Sequence, residues 1–181
     1  MSDRKLALLG LFGPLVAILF VVLSIVLVPW FSWEVNALSD LGQSVSSKVA
    51  PIFNFGLLFG GFLIIVYSIT VFRKFNKYTS YFLMLSGLSL QLVGTFDEVY
   101  NWLHTQVSIL FFASIGLTSI VYYIEKRSLI ALLALIIGAV SWIAYGLNIY
   151  SSGIAVPETI SAIAVALWIM LSALKIYNNK N

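Results

Sequence analysis

Six windows of mostly apolar residues divide the chain, and each predicts a helix that crosses a membrane. Such a helix needs about 20 residues that are predominantly apolar. The windows are continuous rather than alternating, which excludes the strands of a membrane barrel. The predicted spans are residues 6–28, 51–72, 80–96, 103–124, 128–149 and 157–176. The expected fold is therefore all-α, a polytopic membrane bundle of six transmembrane helices that forms a single domain over residues 1–181.

Composition excludes the main alternatives to a membrane protein. Hydrophobic residues make up 61% of the 181 positions and charged residues only 9%, whereas a soluble domain carries about a quarter charged residues. Disordered chains are polar and poor in aromatic residues, but aromatic residues are 15% here. The net charge of +3 comes from scattered basic residues rather than a cluster, which argues against nucleic acid as a partner. Membrane lipids are the expected partners.

The positions of the basic residues predict the orientation of the bundle. Nine of the ten precede the first span, lie at or beyond the end of the last, or lie in alternate loops, and only Lys48 lies on the other side. Basic loops stay in the cytoplasm, so the chain is predicted to lie in the cell membrane with both termini cytoplasmic. The nine residues are Arg4, Lys5, Arg73, Lys74, Lys77, Lys126, Arg127, Lys175 and Lys180.

The scarcity of soft ligands limits the cofactors. The chain has no cysteine and one histidine, His104. Disulfides, iron–sulfur clusters and Cys-ligated zinc are therefore excluded. A haem held by two histidines would need a second chain. No haem, iron–sulfur or Cys-zinc site is expected, and the cofactor content is otherwise unknown.

The first outer loop, residues 29–50, predicts a short helix lying along the membrane interface. Its apolar residues recur at helical spacing, which places them on one face. Asp40 has two interpretations. It could begin this helix as an N-cap, with Gln43 reaching back to complete a capping box. It could instead act as a general base or cation ligand, with Ser39 as hydroxyl donor or nucleophile. The apolar positions are Val35, Leu38, Leu41, Val45 and Val49.

The remaining polar candidates also lie near predicted outer ends of the spans. Asp97 and Glu98 end the third span and His104 begins the fourth, with Ser108 one turn later on the same face. They could converge on one rim as a functional group, or the two acids could cap a loop that faces water while the histidine is a satisfied hydrogen-bond partner.

Two further candidates have ordinary structural alternatives. Asn54 could line a site or join neighbouring helices, and Glu158 after Pro157 is also typical of a helix start. The candidate catalytic residues are Ser39, Asp40, Asp97 and His104, the candidate binding residues are Asn54, Glu98 and Glu158, and a metal, if any, would be held by Asp40, Asp97, His104 and Glu158.

The Ser-Asp-Leu-Gly segment at 39–42, followed by Phe-Asn-Phe-Gly at 53–56, resembles the domain-of-unknown-function 998 family of small six-span prokaryotic membrane proteins. That family has an acidic residue at the end of span three, a histidine soon after, and a Gly-x-x-x-x-Glu-like stretch before span six. The resemblance implies a similarity to membrane hydrolases that act on lipids with Ser, Asp and His residues. Its pattern maps onto Ser39, Asp40, Asn54, Asp97 or Glu98, His104, Gly153 and Glu158.

Two hypotheses about function follow. In the first, a polar pocket at the outer rim binds or hydrolyses a lipid-like amphiphile. The alternative is an accessory or structural subunit of a larger membrane protein complex, since a chain this apolar can lie among other subunits. Activity as an enzyme stays open at this point.

Overall fold

The computed structural model describes residues 2–179 of the chain, and within that range it contains six long helices and no strand. Met1, Asn181 and the predicted cytoplasmic Lys180 lie outside the described residues. Each predicted span coincides with one helix, and the ends differ by three residues at most. The helices are α1 (Asp3–Leu27), α2 (Ala50–Phe75), α3 (Lys77–Thr95), α4 (Trp102–Lys126), α5 (Leu129–Gly146) and α6 (Ala155–Asn178).

Five of the six helices are long and apolar enough to cross a membrane, and α3 is not among them. The all-α bundle is therefore confirmed, and five of its helices are candidate spans. α3 is less apolar because it carries hydroxyl and amide side chains, which it uses between helices. Ser86 Oγ lies 3.0 Å from Thr118 Oγ1 on α4, and Gln91 Nε2 donates to the carbonyl oxygen of Leu58 on α2 at 3.1 Å. Such polar contacts join helices in an apolar surrounding.

Small residues bring α1, α2 and α3 close together. A Cβ added at Gly60 of α2 would lie 2.8 Å from the Cβ of Ala17 and 2.9 Å from the carbonyl oxygen of Gly13, both on α1. A Cβ at Gly61 would lie 2.6 Å from the carbonyl oxygen of Gly87 on α3. Neighbouring glycines on α2 thus face two different helices, which places α2 between its neighbours.

The predicted interfacial helix of the first loop is wrong in length and placement. Only a five-residue 3₁₀ turn, Leu38–Gly42, forms there. Leu41 is fully buried, whereas Val35 and Val45 are 78% and 83% exposed. The apolar residues therefore do not share one face. The reason is long-range hydrogen bonding, described below, which fixes this segment against the end of the bundle.

The charged side chains lie at the two ends of the bundle. The "acidic end" carries the turn Leu38–Gly42, a second 3₁₀ turn at Glu98–Tyr100, and the beginning of α6. The "basic end" carries the α2–α3 and α4–α5 links, the start of α1 and the end of α6. At the basic end, Lys74 pairs with Asp3 at 2.7 Å. The structure thus reproduces the charge separation that the sequence indicates.

Candidate functional site

The turn Leu38–Gly42 is the centre of the acidic end, and Asp40 stabilises it from within. The Asp40 Oδ2 atom accepts a hydrogen bond from the backbone N–H of Ala37 at 3.0 Å and another from Asn36 Nδ2 at 2.7 Å. Asp40 therefore has a capping role, but it reaches back to the start of the turn instead of beginning a helix. Gln43 does not reach back, because its Oε1 accepts from the Ser46 hydroxyl.

Two glutamates from distant segments hold the first half of this turn. The backbone N–H of Leu38 donates to Glu158 Oε2 at 2.8 Å, across 120 residues of sequence. The Ser39 hydroxyl donates to Glu98 Oε1 at 2.6 Å. Both bonds have an ionisable acceptor, and such bonds are stronger than neutral ones when the acceptor is charged. The turn is thereby fixed to the start of α6 and to the α3–α4 link.

The second half of the turn is held by Asn54 and Asp97. Asn54 Nδ2, one turn into α2, donates to the carbonyl oxygen of Gly42 at 2.8 Å. A Cβ at Gly42 would lie 2.5 Å from Asn54 Oδ1, so this close approach requires glycine. Asp97 Oδ2 accepts from the backbone N–H of Ser44 at 3.0 Å. The motif residues near 39–42 and 53–56 are therefore parts of one contact.

The acidic end holds neighbouring carboxyl groups whose charges repel each other. Burial raises the pKa of Glu98 above its ordinary value of 4.5, and the adjacent Asp40 carboxyl raises it further, while the hydrogen bond from Ser39 opposes both effects. The Glu158 carboxyl, 9% exposed, lies near both of the other acids. Burial and the neighbouring carboxyl group therefore favour the protonated form of Glu98.

Asp97 behaves in the opposite way although it is also buried. Burial alone would raise the pKa of this carboxyl, but hydrogen bonds from Ser44 and from the backbone N–H of Val99, at 2.9 Å, lower it below its ordinary value. Asp97 also caps the short turn Glu98–Tyr100. Its geometry is that of a charged structural acceptor.

His104 makes a second polar pair that does not include Ser39. Its Nδ1 lies 2.7 Å from the carbonyl oxygen of Phe96. A carbonyl only accepts, so Nδ1 carries a proton, and in the tautomer with a single ring proton Nε2 has a free lone pair. The Ser108 hydroxyl lies 3.3 Å from that Nε2. This is the polarity with which a histidine accepts a proton from a hydroxyl.

A large apolar cavity extends from the middle of the bundle to the acidic end. Its volume is about 420 Å³, within the range of small-molecule sites. Its walls come from α1, α2, α3, α4 and α6 and are almost entirely aliphatic or aromatic. The turn residues Leu38 and Ser39 form part of its lining at the acidic end. The polar residues that line it are Ser39, Ser86, Ser108, Glu158 and Thr159, with the indole of Trp33 beside them.

The structure brings the predicted site residues to one end of the bundle, where most of them make hydrogen bonds with the first loop. Ser39, Asp40, Asn54, Asp97, Glu98 and Glu158 all contribute to holding the first loop. His104 makes no hydrogen bond to any of them among the described residues. Within residues 2–179, no group of three or more His, Cys, Asp or Glu side chains could hold a metal ion, so the four predicted metal ligands do not assemble.

Sequence reasoning missed the cavity and Thr159. The Thr159 Oγ1 atom is buried, and no described residue provides it with a hydrogen-bond partner. An unpaired hydroxyl in a cavity wall is costly without a ligand or water. Among the polar residues that line the cavity, Ser39 and Glu158 were predicted site residues, and Ser108 was noted because it follows His104 by one helical turn. An empty space between side chains has no sequence signal of its own.

Comparison with known proteins agrees with the motifs of the acidic end. No curated protein and no solved structure matches the chain. One protein family does match, and it covers both 39–42 and 53–56 together with Glu98, His104 and Glu158. With residues 11–175 matched, the chain belongs to the family described as "Protein of unknown function (DUF998)".

Proposed function

We propose that this multi-pass membrane protein binds a single-chain amphiphile, with the apolar tail in the 420 Å³ cavity and the head at the acidic end. The cavity is the observation that carries the proposal. Protein interiors are packed like organic crystals, with few voids larger than a water molecule. The cavity is partly open, since Val22, Val26 and Ile163 in its lining are 49%, 74% and 42% exposed. Apolar pockets of this size are typical sites for small apolar ligands.

The acidic end supports a head group that donates hydrogen bonds or carries positive charge. Asp40, Glu98 and Glu158 lie close together there. No described Lys or Arg makes an ion pair with any of them. A carboxylate-headed amphiphile would add a further repulsive charge, whereas an amine or hydroxyl head would donate to these oxygens.

The proposal includes a cell-membrane location with six spans and cytoplasmic termini. Five helices supply candidate spans. α3, which joins α2 and α4 through buried polar contacts, would be the sixth. The basic end would face the cytoplasm, because positively charged loops are retained there, and the part of the cavity at the acidic end would then lie toward the outer leaflet.

Ester hydrolysis of the bound amphiphile is a second candidate, favoured by the Ser108–His104 contact in the cavity wall. The Ser108 Oγ would attack the ester carbonyl carbon while its proton passes to His104 Nε2. The carbon–oxygen bond to the alcohol would break, and the alcohol would leave with that proton. Water would then release the acid from Ser108, again with His104 accepting and returning a proton.

The first test is native mass spectrometry of the purified chain with a 12-carbon alkylamine, the alcohol and the carboxylic acid of equal length. We expect the amine and alcohol to be retained at least roughly tenfold better than the acid, because of the carboxyl cluster. Ala162→Phe, which fills the cavity, should abolish retention. Leu167→Phe on the exposed side of α6 is the matched control and should leave it unchanged.

Equal retention by the two phenylalanine variants would overturn binding in the cavity. An ester probe separates the second candidate, since the wild type should release acid and alcohol while Ser108→Ala retains the intact ester. Unchanged release by Ser108→Ala would exclude the hydrolytic role. Co-purification of a defined set of larger chains, with no retained amphiphile, would favour the accessory-subunit alternative.

A further inference from the structure

A second pocket lies at the basic end of the bundle, whereas the apolar cavity extends to the acidic end. It has a volume of about 490 Å³ and lies between the ends of α4 and α6, the start of α5 and the α2–α3 link. Three cationic side chains line it, Lys126, Arg127 and Lys175. No acidic side chain contributes to its lining among the described residues. The pocket is therefore complementary to an anion.

These three cations differ from the other basic residues near the α2–α3 link. Arg73 donates to the Tyr81 hydroxyl at 3.0 Å, Lys74 pairs with Asp3, and Lys77 lies over the ring of Tyr78. Within residues 2–179, the pocket cations make no side-chain hydrogen bond and no ion pair. Glu125 lies close enough to Lys126 for their charges to interact, but its carboxylate makes no ion pair with Lys126 and accepts from the Thr79 hydroxyl and from backbone N–H groups of α3.

The start of α5 adds backbone donors to the same pocket. Leu129 and Ile130 line it and occupy the first two positions of the helix, where the N–H groups have no acceptor within the helix. The Ser128 hydroxyl accepts from Ala131, one position further along. The partial positive charge at a helix N-terminus favours phosphate and carboxylate groups. Side-chain and backbone donors therefore converge.

Asn76 provides an independent indication of a ligand. It lies in the pocket wall and is only 3% exposed, yet its Oδ1 atom has no hydrogen-bond partner among the described residues. A buried carbonyl oxygen without a donor is unfavourable. The phosphate of a diester would not satisfy it, because a phosphate diester has no O–H donor. A hydroxyl group beside the phosphate would.

We infer that this pocket binds a phosphate that carries neighbouring hydroxyl groups, with the chemistry of glycerol phosphate. Lys126, Arg127, Lys175 and the N–H groups of α5 would contact the phosphate, and a hydroxyl would donate to Asn76. The source of that chemistry is either the head of phosphatidylglycerol or free glycerol phosphate. The inference does not depend on the proposed amphiphile at the acidic end. Basic pockets between helix ends are known sites for anionic lipid heads.

The test uses the full chain in phosphatidylcholine nanodiscs that contain a small fraction of phosphatidylglycerol, with lipid retention measured by native mass spectrometry. Retention of phosphatidylglycerol should fall by roughly fivefold for each cation removed in the triple variant Lys126→Gln, Arg127→Gln, Lys175→Gln. The matched control is Arg4→Gln, Lys5→Gln, Lys77→Gln, which removes the same charge from the same end outside the pocket. It should retain the lipid within about twofold.

Equal loss by the two triple variants would overturn the inference, because it would reduce the effect to general attraction by a basic surface. Retention by both would overturn it as well. The single variant Lys175→Gln keeps the test valid if the triple variant does not fold. Asn76→Leu should weaken the binding of phosphatidylglycerol more than that of phosphatidic acid, whose head has no glycerol hydroxyls. Glycerol 3-phosphate added to lipid-free detergent micelles decides the source: heat evolved on titration indicates the free compound, and none indicates the lipid.

Discussion

Glu98 is a residue at which burial and a neighbouring charge oppose the charged form in the folded protein. It accepts the Ser39 hydroxyl, and its pKa is raised by burial and by Asp40. The folded protein therefore keeps the Glu98 proton at pH values above 4.5 where the unfolded chain has released it. The folded state binds more protons in that window, so its stability falls as the pH rises through it and stays lower above the folded pKa.

Glu98→Gln should remove this penalty. Gln keeps an oxygen acceptor for Ser39 and adds an N–H donor toward Asp40, so we expect a gain of about 1 kcal/mol at about pH 8. The melting temperature, followed by tryptophan fluorescence in detergent, should rise by roughly 2–4 °C. It should also depend less on pH between about pH 5 and pH 8.

Glu34→Gln is the control for this experiment, because it removes the same charge from an exposed position in the same loop. It should change neither the melting temperature nor its pH dependence. If the Glu98→Gln variant melts at a lower temperature than the wild type at both ends of this pH range, the explanation is wrong. Such a result would mean that the charged Glu98 stabilises the turn.

Among the elements, the six helices were predictable and the turn Leu38–Gly42 was not. A helix in an apolar setting is determined by its own run of apolar residues, so the windows match the helices closely. The turn takes its conformation from acceptors up to 120 residues away in sequence. The spacing of Val35 and Val45 indicated a helix face, but nothing local showed that Leu38 and Ser39 would be held by glutamates.

At the helix interfaces, the glycines of α2 give a direct prediction. Gly60→Ala places a methyl group 2.8 Å from Ala17 Cβ and 2.9 Å from the Gly13 carbonyl oxygen, so α1 and α2 must separate. Overpacking of this kind costs about 1–3 kcal/mol. The melting temperature of the variant in detergent should fall accordingly.

Gly146→Ala is its matched control, since nothing lies within 4 Å of a Cβ added there. Alanine is the better helix former, so this change should be neutral or stabilising by up to about 1 kcal/mol. If both alanine variants melt at the wild-type temperature, close packing of α1 on α2 does not limit stability.

For the whole molecule, the number of membrane crossings decides on which side of the membrane each terminus lies. Six crossings place both termini on one side, whereas five place them on opposite sides. The chain has no cysteine, so single cysteines introduced by substitution report the side directly. In intact cells, a membrane-impermeant maleimide should label Ser151→Cys at the acidic end and leave Ser2→Cys and Asn178→Cys unlabelled until the cells are permeabilised.

Labelling of one terminus but not the other before permeabilisation would contradict six spans. It would mean that α3 does not cross the membrane. Labelling of both termini, with Ser151→Cys protected, would reverse the proposed orientation. Reversed orientation would place the acidic end of the cavity toward the cytoplasm and the basic pocket outside. The same three variants therefore also decide from which leaflet each proposed ligand is taken.

The hydrogen bond from Leu38 to Glu158 also has a consequence for synthesis. The acceptor is made 120 residues after the donor, and chains grow at about 5–20 residues per second, so roughly 6–24 s pass between them. Throughout that time the first loop has no partner on α6, and the bundle end stays open. The last helix is therefore what completes the first loop, and a chain released before α6 would expose an incompletely folded end for cellular proteases to recognise.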